Sequence, residues 1–90
     1  MKLLVLYRPN SEHARRLEMF MHDLQKQHDV SQSSIRIVDV DSREGIELAR
    51  IYDTMTSPAI VVTDNDGGYV QGWVGENLPL MQEVAAYTHS

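Results

Sequence analysis

Between Tyr7 and Ala14 the chain places Arg8, Ser11, Glu12 and His13 within six positions, its densest group of side chains able to do chemistry. Ser11 is a possible nucleophile, but a hydroxyl at neutral pH needs an adjacent general base. His13 stands two residues on, and residues at that offset do not face each other on a helix. The expected role of Ser11 is therefore to cap a helix, and no catalytic residue is assigned. Arg8, Arg15 and Arg16 could together attract an anion, though charges so placed are normally a solvated helix flank. Glu18 and His22 are four apart, yet two ligands do not make a metal site, and His13, His28 and His89 show no ligand spacing. No metal site is expected. Tyr7, Tyr69 and Trp73 suit half-buried strand positions better than platforms for stacking bases.

Composition narrows the chemistry further. The 90 residues contain no cysteine, which removes disulfides, thiolate zinc sites and thiol redox catalysis together. With 42% apolar residues and a net charge of −5, the chain has enough surface to bury to fold as one domain over residues 1–90. Residues 1–50 hold all the lysines and arginines, balanced by an equal number of acids. Residues 51–90 hold Asp53, Asp64, Asp66, Glu76 and Glu83 with no base. Nucleic acid and anionic membrane surfaces are thus not the expected partners. The apolar run from Leu3 to Tyr7 is too short for a signal peptide or a span, which implies a cytoplasmic setting.

These side chains need elements to position them. Lys2 to Tyr7 reads as a buried strand stopped by Pro9, Asn10 and Ser11. Ala14, Leu17, Met21 and Leu24 recur at helical spacing and predict a helix over 11–28, begun by Asn10 or Ser11 with Glu12 at its positive end. Residues 34–40 predict a second strand. Asp41 and Ser42 then cap a second helix, with Glu44 at capping-box spacing from Asp41, carrying Ile46, Leu48, Ala49, Ile51 and Tyr52 and ending near Asp53. Ala59 to Thr63 is a third strand and Tyr69 to Val74 a fourth, joined by a turn at 64–68 rich in residues that tolerate positive φ. Gly75 breaks this strand, and Asn77 caps a last helix with Pro79 in its first turn. The order β-α-β-α-β-β-α predicts an α/β fold: a four-stranded mixed sheet with helices on both faces, its first two strands parallel through a right-handed crossover.

That order, with Pro58 just before the third strand, resembles the thioredoxin/glutaredoxin-like fold over nearly the whole chain. Tyr7 and Arg8 followed by Ser11 and Ala14 are similar to the first-strand exit of glutaredoxins, with Ser11 and Ala14 where that family has its two cysteines. Tyr52 through Ser57, Pro58 and Ala59 is similar to the segment leading into the family's cis-proline, and Asp66 to Gly75 to its hairpin and closing glycine. The resemblance implies a cis Ser57–Pro58 bond. It also implies a groove beside that proline, where Thr56 and Ser57, next to Ser11 and Glu12, offer backbone groups to an extended protein or peptide partner. Without a thiol, this is a redox-inactive binding or scaffold module. The glutaredoxin likeness also implies an alternative: glutathione as a ligand rather than a cofactor, held by Arg8, by Ser57 and Pro58, and by Gly75, Glu76 and Asn77, in a binding protein or in an enzyme with Ser11 in the cysteine position. The stretch from Pro9 to Ala14 is equally similar to the helix start of KaiB-type clock proteins, which share the fold without its catalytic pair; the hairpin from Asp66 to Gly75 fits them poorly.

Overall fold

The computed structural model describes residues 1–54, 58–75 and 78–88. Four strands form one sheet: β1 (Lys2–Tyr7), β2 (Ile35–Asp39), β3 (Ala59–Thr63) and β4 (Tyr69–Val74), in the order β2-β1-β3-β4. β1 and β2 are parallel, with Leu3 beside Ile35 and Tyr7 beside Asp39. β3 runs antiparallel to β1, with Lys2 opposite Thr63 and Leu6 opposite Ala59, and β4 closes the hairpin. Helix α1 (Ala14–Gln27) makes the crossover, α2 (Arg43–Ile51) joins β2 to β3, and α3 (Met81–Thr88) ends the described chain.

The unbroken apolar runs of β1 and β3 follow from burial on both faces. Leu3, Val5, Ile60 and Val62 pack with Leu17, Met21 and Leu24 of α1 and Val84 of α3. The alternate residues Leu4, Leu6, Ala59 and Val61 pack with Val38 and Ala49 on the opposite face, that of α2. The period-two alternation of a strand thus serves two cores at once.

The starts of α1 and α3 depart from expectation, whereas α2 is capped at Ser42 as expected, without the capping box. Ser11 does not cap α1. The Arg8 carbonyl accepts both the Ser11 hydroxyl at 2.6 Å and the Ser11 N–H at 3.1 Å, closing a turn before the helix. The helix begins at Ala14 with His13 as its boundary residue and no side-chain cap. In α2 the cap is Ser42, whose hydroxyl oxygen accepts the Gly45 N–H at 3.0 Å. Glu44 pairs with Arg36 instead of forming a box with Asp41. The helix stops at Ile51 with Tyr52 as its C-cap, close to the expected end near Asp53, which takes a left-handed φ of 55°. Ile46 and Ile51 are exposed, since a short helix lying on a sheet buries only a narrow stripe. Pro79 precedes α3 rather than entering its first turn; the Leu80 carbonyl accepts from the Glu83 and Val84 amides. The expected cap Asn77 lies outside the described residues.

The 64–68 turn forms as its residues dictate. Asp64 Oδ1 accepts the Asp66 N–H at 2.9 Å and the Gly68 N–H at 2.8 Å, and Gly67 sits at φ 85°. Among the described residues no helix is long and apolar enough to cross a membrane.

Candidate functional site

Because β1 and β2 are parallel, their C-terminal ends share one pole of the sheet, and α1 and α2 both start there. Crevices in open α/β sheets lie beyond such strand ends. β3 begins at the same pole, and its register with β1 continues Pro58 alongside Tyr7. Arg8, Ser11, Glu12, Pro58 and Gly75 therefore gather where the sequence places a site. Pro58 is buried, and its carbonyl accepts the Gly75 N–H at 2.8 Å. Gly75 holds a φ of 96°, a conformation few side chains tolerate. Thr56, Ser57, Glu76 and Asn77, and with Ser57 the expected cis bond, lie outside the described residues.

Arg8 does not wait with an open fork. Its Nε donates to Asp41 Oδ2 at 2.9 Å and its second guanidinium nitrogen to Oδ1 at 3.2 Å. Asp41 is positioned from β2, its own N–H donating to Asp39 Oδ1 at 2.8 Å, while the Ser42 hydroxyl donates to the Asp39 carbonyl at 2.6 Å. Asp39 and Asp41 are the site residues that sequence reasoning missed. The signal lies in topology: Tyr7 and Asp39 are register partners, so residues just past both strand ends become neighbours. Nearby, the Tyr7 hydroxyl donates to Glu18 Oε1 at 3.2 Å. Burial, then the charge and hydrogen bond of Glu18, push the phenol above its ordinary range. His13 Nε2 is buried with no hydrogen-bond partner among the described residues.

The hydrogen bond from Arg8, with its charge and against an opposing desolvation, holds the Asp41 carboxyl below its ordinary range. A depressed carboxyl contributes stability above its unfolded pKa and loses it as pH falls through the folded value. Both partners are more than half exposed, so the pair sets geometry more than stability. In Arg8→Gln, the Asp41 carboxyl carbon should therefore titrate at a higher pH than in the parent chain, as followed by its NMR shift. An unchanged midpoint would show that the fork does not persist in solution.

Chemically, the pole offers no activated nucleophile. The Ser11 hydroxyl hydrogen is directed at a backbone carbonyl, and among the described residues no imidazole or carboxylate bonds to its oxygen. Nor do the described residues bring three or more potential ligands together for a metal ion.

No family model matches the chain, and no curated protein matches its sequence. Solved structures do. Thioredoxin 1 of Thermosipho africanus TCF52B superposes with a TM-score of 0.67 at 15% identity, covering 99% of this chain and 91% of that one. This chain has the thioredoxin fold. Oxidised thioredoxin of Plasmodium falciparum matches at a TM-score of 0.66 and 20% identity over 97% of this chain and 82% of its own. Mitochondrial thioredoxin 3 of Saccharomyces cerevisiae, also in its oxidised form, matches at 0.62 and 16% over 97% and 74%. The chain carries the thioredoxin fold with no cysteine anywhere in its 90 residues. Thiol–disulfide exchange proceeds through a thiolate and a second sulfur, so these residues cannot perform it.

Proposed function

We propose that this domain is a redox-inactive binding module that takes an extended protein or peptide segment along the groove beside Pro58. The observation that carries the reading is the state of Ser11. The side chain standing where the resembled family has its reactive thiol is turned inward, donating to the Arg8 carbonyl at 2.6 Å. A group so engaged, without a base, shapes the turn and leaves non-covalent contact as the task of this pole. Pro58 supports the same reading. Its carbonyl is already bonded to Gly75, so an incoming strand would pair with the backbone of Thr56 and Ser57, flanked by Ser11 and Glu12. Glutathione suits the pole less well, because its carboxylate would have to displace Asp41 from a two-pronged contact with Arg8. A cytoplasmic location goes with this reading, since a chain free of cysteine has no use for an oxidising compartment.

The test is an amide-shift titration with a pool of thiol-free extended hexapeptides, using the parent chain and Ser57→Arg, with glutathione as a separate arm. Saturable shifts at Arg8, Ser11, Glu12 and Gly75 that vanish in the folded variant are expected. Peptide shifts that ignore the substitution would place recognition elsewhere. Shifts from glutathione alone would replace a strand partner by a tripeptide ligand.

A further inference from the structure

The opposite end of the sheet holds a second feature, independent of the strand-end pole. α2 has 9 residues, about 13 Å of helix, whereas the six residues of β1 extend about 20 Å. Starting at the strand-end pole, α2 runs out before its face of the sheet does. The uncovered ground is a cavity of about 240 Å³. Register places Lys2, Leu4, Arg36 and Thr63 on this face as its floor, and Tyr52 with the turn from Asp64 to Gly67 forms its wall. The volume lies below the ~300–1,000 Å³ of sites for drug-sized ligands, which sets the occupant at metabolite size.

The lining holds two cations, Lys2 and Arg36, against one acid, Asp64. Thr63 is only 7% exposed as a residue and lines the cavity, where its hydroxyl can meet a ligand. A hydroxyl in a cavity lining can donate to an anionic oxygen there. Its cross-strand neighbour is Lys2, whose ammonium forms no ion pair among the described residues. Side chains paired in this way have Cβ atoms about 5 Å apart, within reach of one small group. Arg36, next to Leu4, meets Glu44 through one terminal nitrogen, leaving further donors. The acid of the lining, Asp64, is engaged by its own turn. Its Oδ1 takes two N–H groups of its own turn, and its Oδ2 packs so close to Gly68 that a Cβ there would meet it at 2.7 Å. Tyr52 is likewise fixed, its hydroxyl donating to the Gly67 carbonyl at 2.5 Å, so its ring stands as a wall.

From these placements we infer that the cavity binds a small organic oxyanion, a carboxylate or phosphate. The charged head meets Lys2, Arg36 and Thr63, and the apolar body rests on Leu4 and the Tyr52 ring. The ligand's oxygens accept from the Thr63 hydroxyl and supply a counter-charge to Lys2.

Hexanoate and hexyl phosphate, titrated into the intact chain at low salt with hexylammonium as the opposite-charge control, test this. At least one oxyanion should saturate amide shifts at Thr63, Asn65 and Tyr52 below about 10 mM, and the one that does names the head group. Thr63→Val, which removes only the hydroxyl, should weaken binding about tenfold. Lys2→Gln, at an exposed position, should weaken it and flatten its salt dependence. The inference is overturned if neither oxyanion saturates, if hexylammonium gives the same shifts, or if folded Thr63→Val binds as the parent does. Should Thr63→Val fail to fold, undiminished binding by Lys2→Gln overturns it instead.

Discussion

Gly45→Ala is expected to destabilise the domain by about 3 kcal/mol or more, lowering the thermal midpoint by about 12 °C or more for a chain of this size. The reason is a backbone approach that no side chain fits. A Cβ at Gly45 would overlap the Asp39 carbonyl oxygen, and would stand 2.8 Å from the carbonyl carbon and 2.9 Å from Val40 Cα. These are backbone atoms at the end of β2, so no rotamer change relieves the contact. α2 must lift or β2 must bend. Either movement separates Ser42 from the Asp39 carbonyl it donates to, and Asp41 from the Asp39 carboxylate that orients it. The effect therefore reaches Arg8, whose Nε–H resonance should shift with the loss of Asp41. Thermal unfolding by circular dichroism gives the first number and the arginine side-chain spectrum the second. A midpoint within two or three degrees of the parent would mean that the close packing of α2 on β2 is not maintained in solution.

The elements differ in how far their residues announced them. β1 and β3 stand at the residues their apolar and β-branched runs indicate, because burial on both faces leaves little choice of register or length, and the half-exposed edge strand β4 follows from the turn that pairs it with β3. The helix starts were ambiguous because several acceptors compete for each polar group. Nothing local tells whether the Ser11 hydroxyl serves a helix amide or the Arg8 carbonyl; the turn at residues 8–11 closes first and decides it. Asp41 was read as part of a cap, but Arg8, 33 positions earlier in the chain, recruits it once the parallel register is set. The candidate pole was legible as a place, through Arg8, Ser11 and Pro58, while its electrostatics were not. The cavity at the other end could not be read at all. It arises from a helix shorter than the strands beneath it, a relation between elements that no local pattern expresses. Thr63 looks like an ordinary strand threonine until its register partner proves to be Lys2.

Leu17→Ala should have the other large effect, a loss of about 2–5 kcal/mol, because it removes a buried branched side chain at a point with little freedom to collapse. Leu17 is 1% exposed, one turn into α1, and it belongs to the core that Leu3, Val5 and Ile60 form beneath the helix. Its N–H bonds to the His13 carbonyl at 3.1 Å, so it also closes the first turn of the helix. The sheet below is fixed by pairing on both sides of β1, and α3 occupies the neighbouring ground; the vacated volume can be filled only by moving the start of α1. That start carries Ser11 and the Arg8 carbonyl, and α1 has no side-chain cap to hold it independently. Denaturant unfolding should show the stability loss, and native-state hydrogen exchange should show Ser11 and Ala14 opening more readily than Gly45 at the start of α2, which Ser42 caps. Met21→Leu, nearly equal in volume, serves as the control and should cost less than about 1.5 kcal/mol. If Leu17→Ala costs no more than that control, or if Gly45 opens as readily as Ser11, then the Ser11 turn is held by its own hydrogen bonds and not by the core under it.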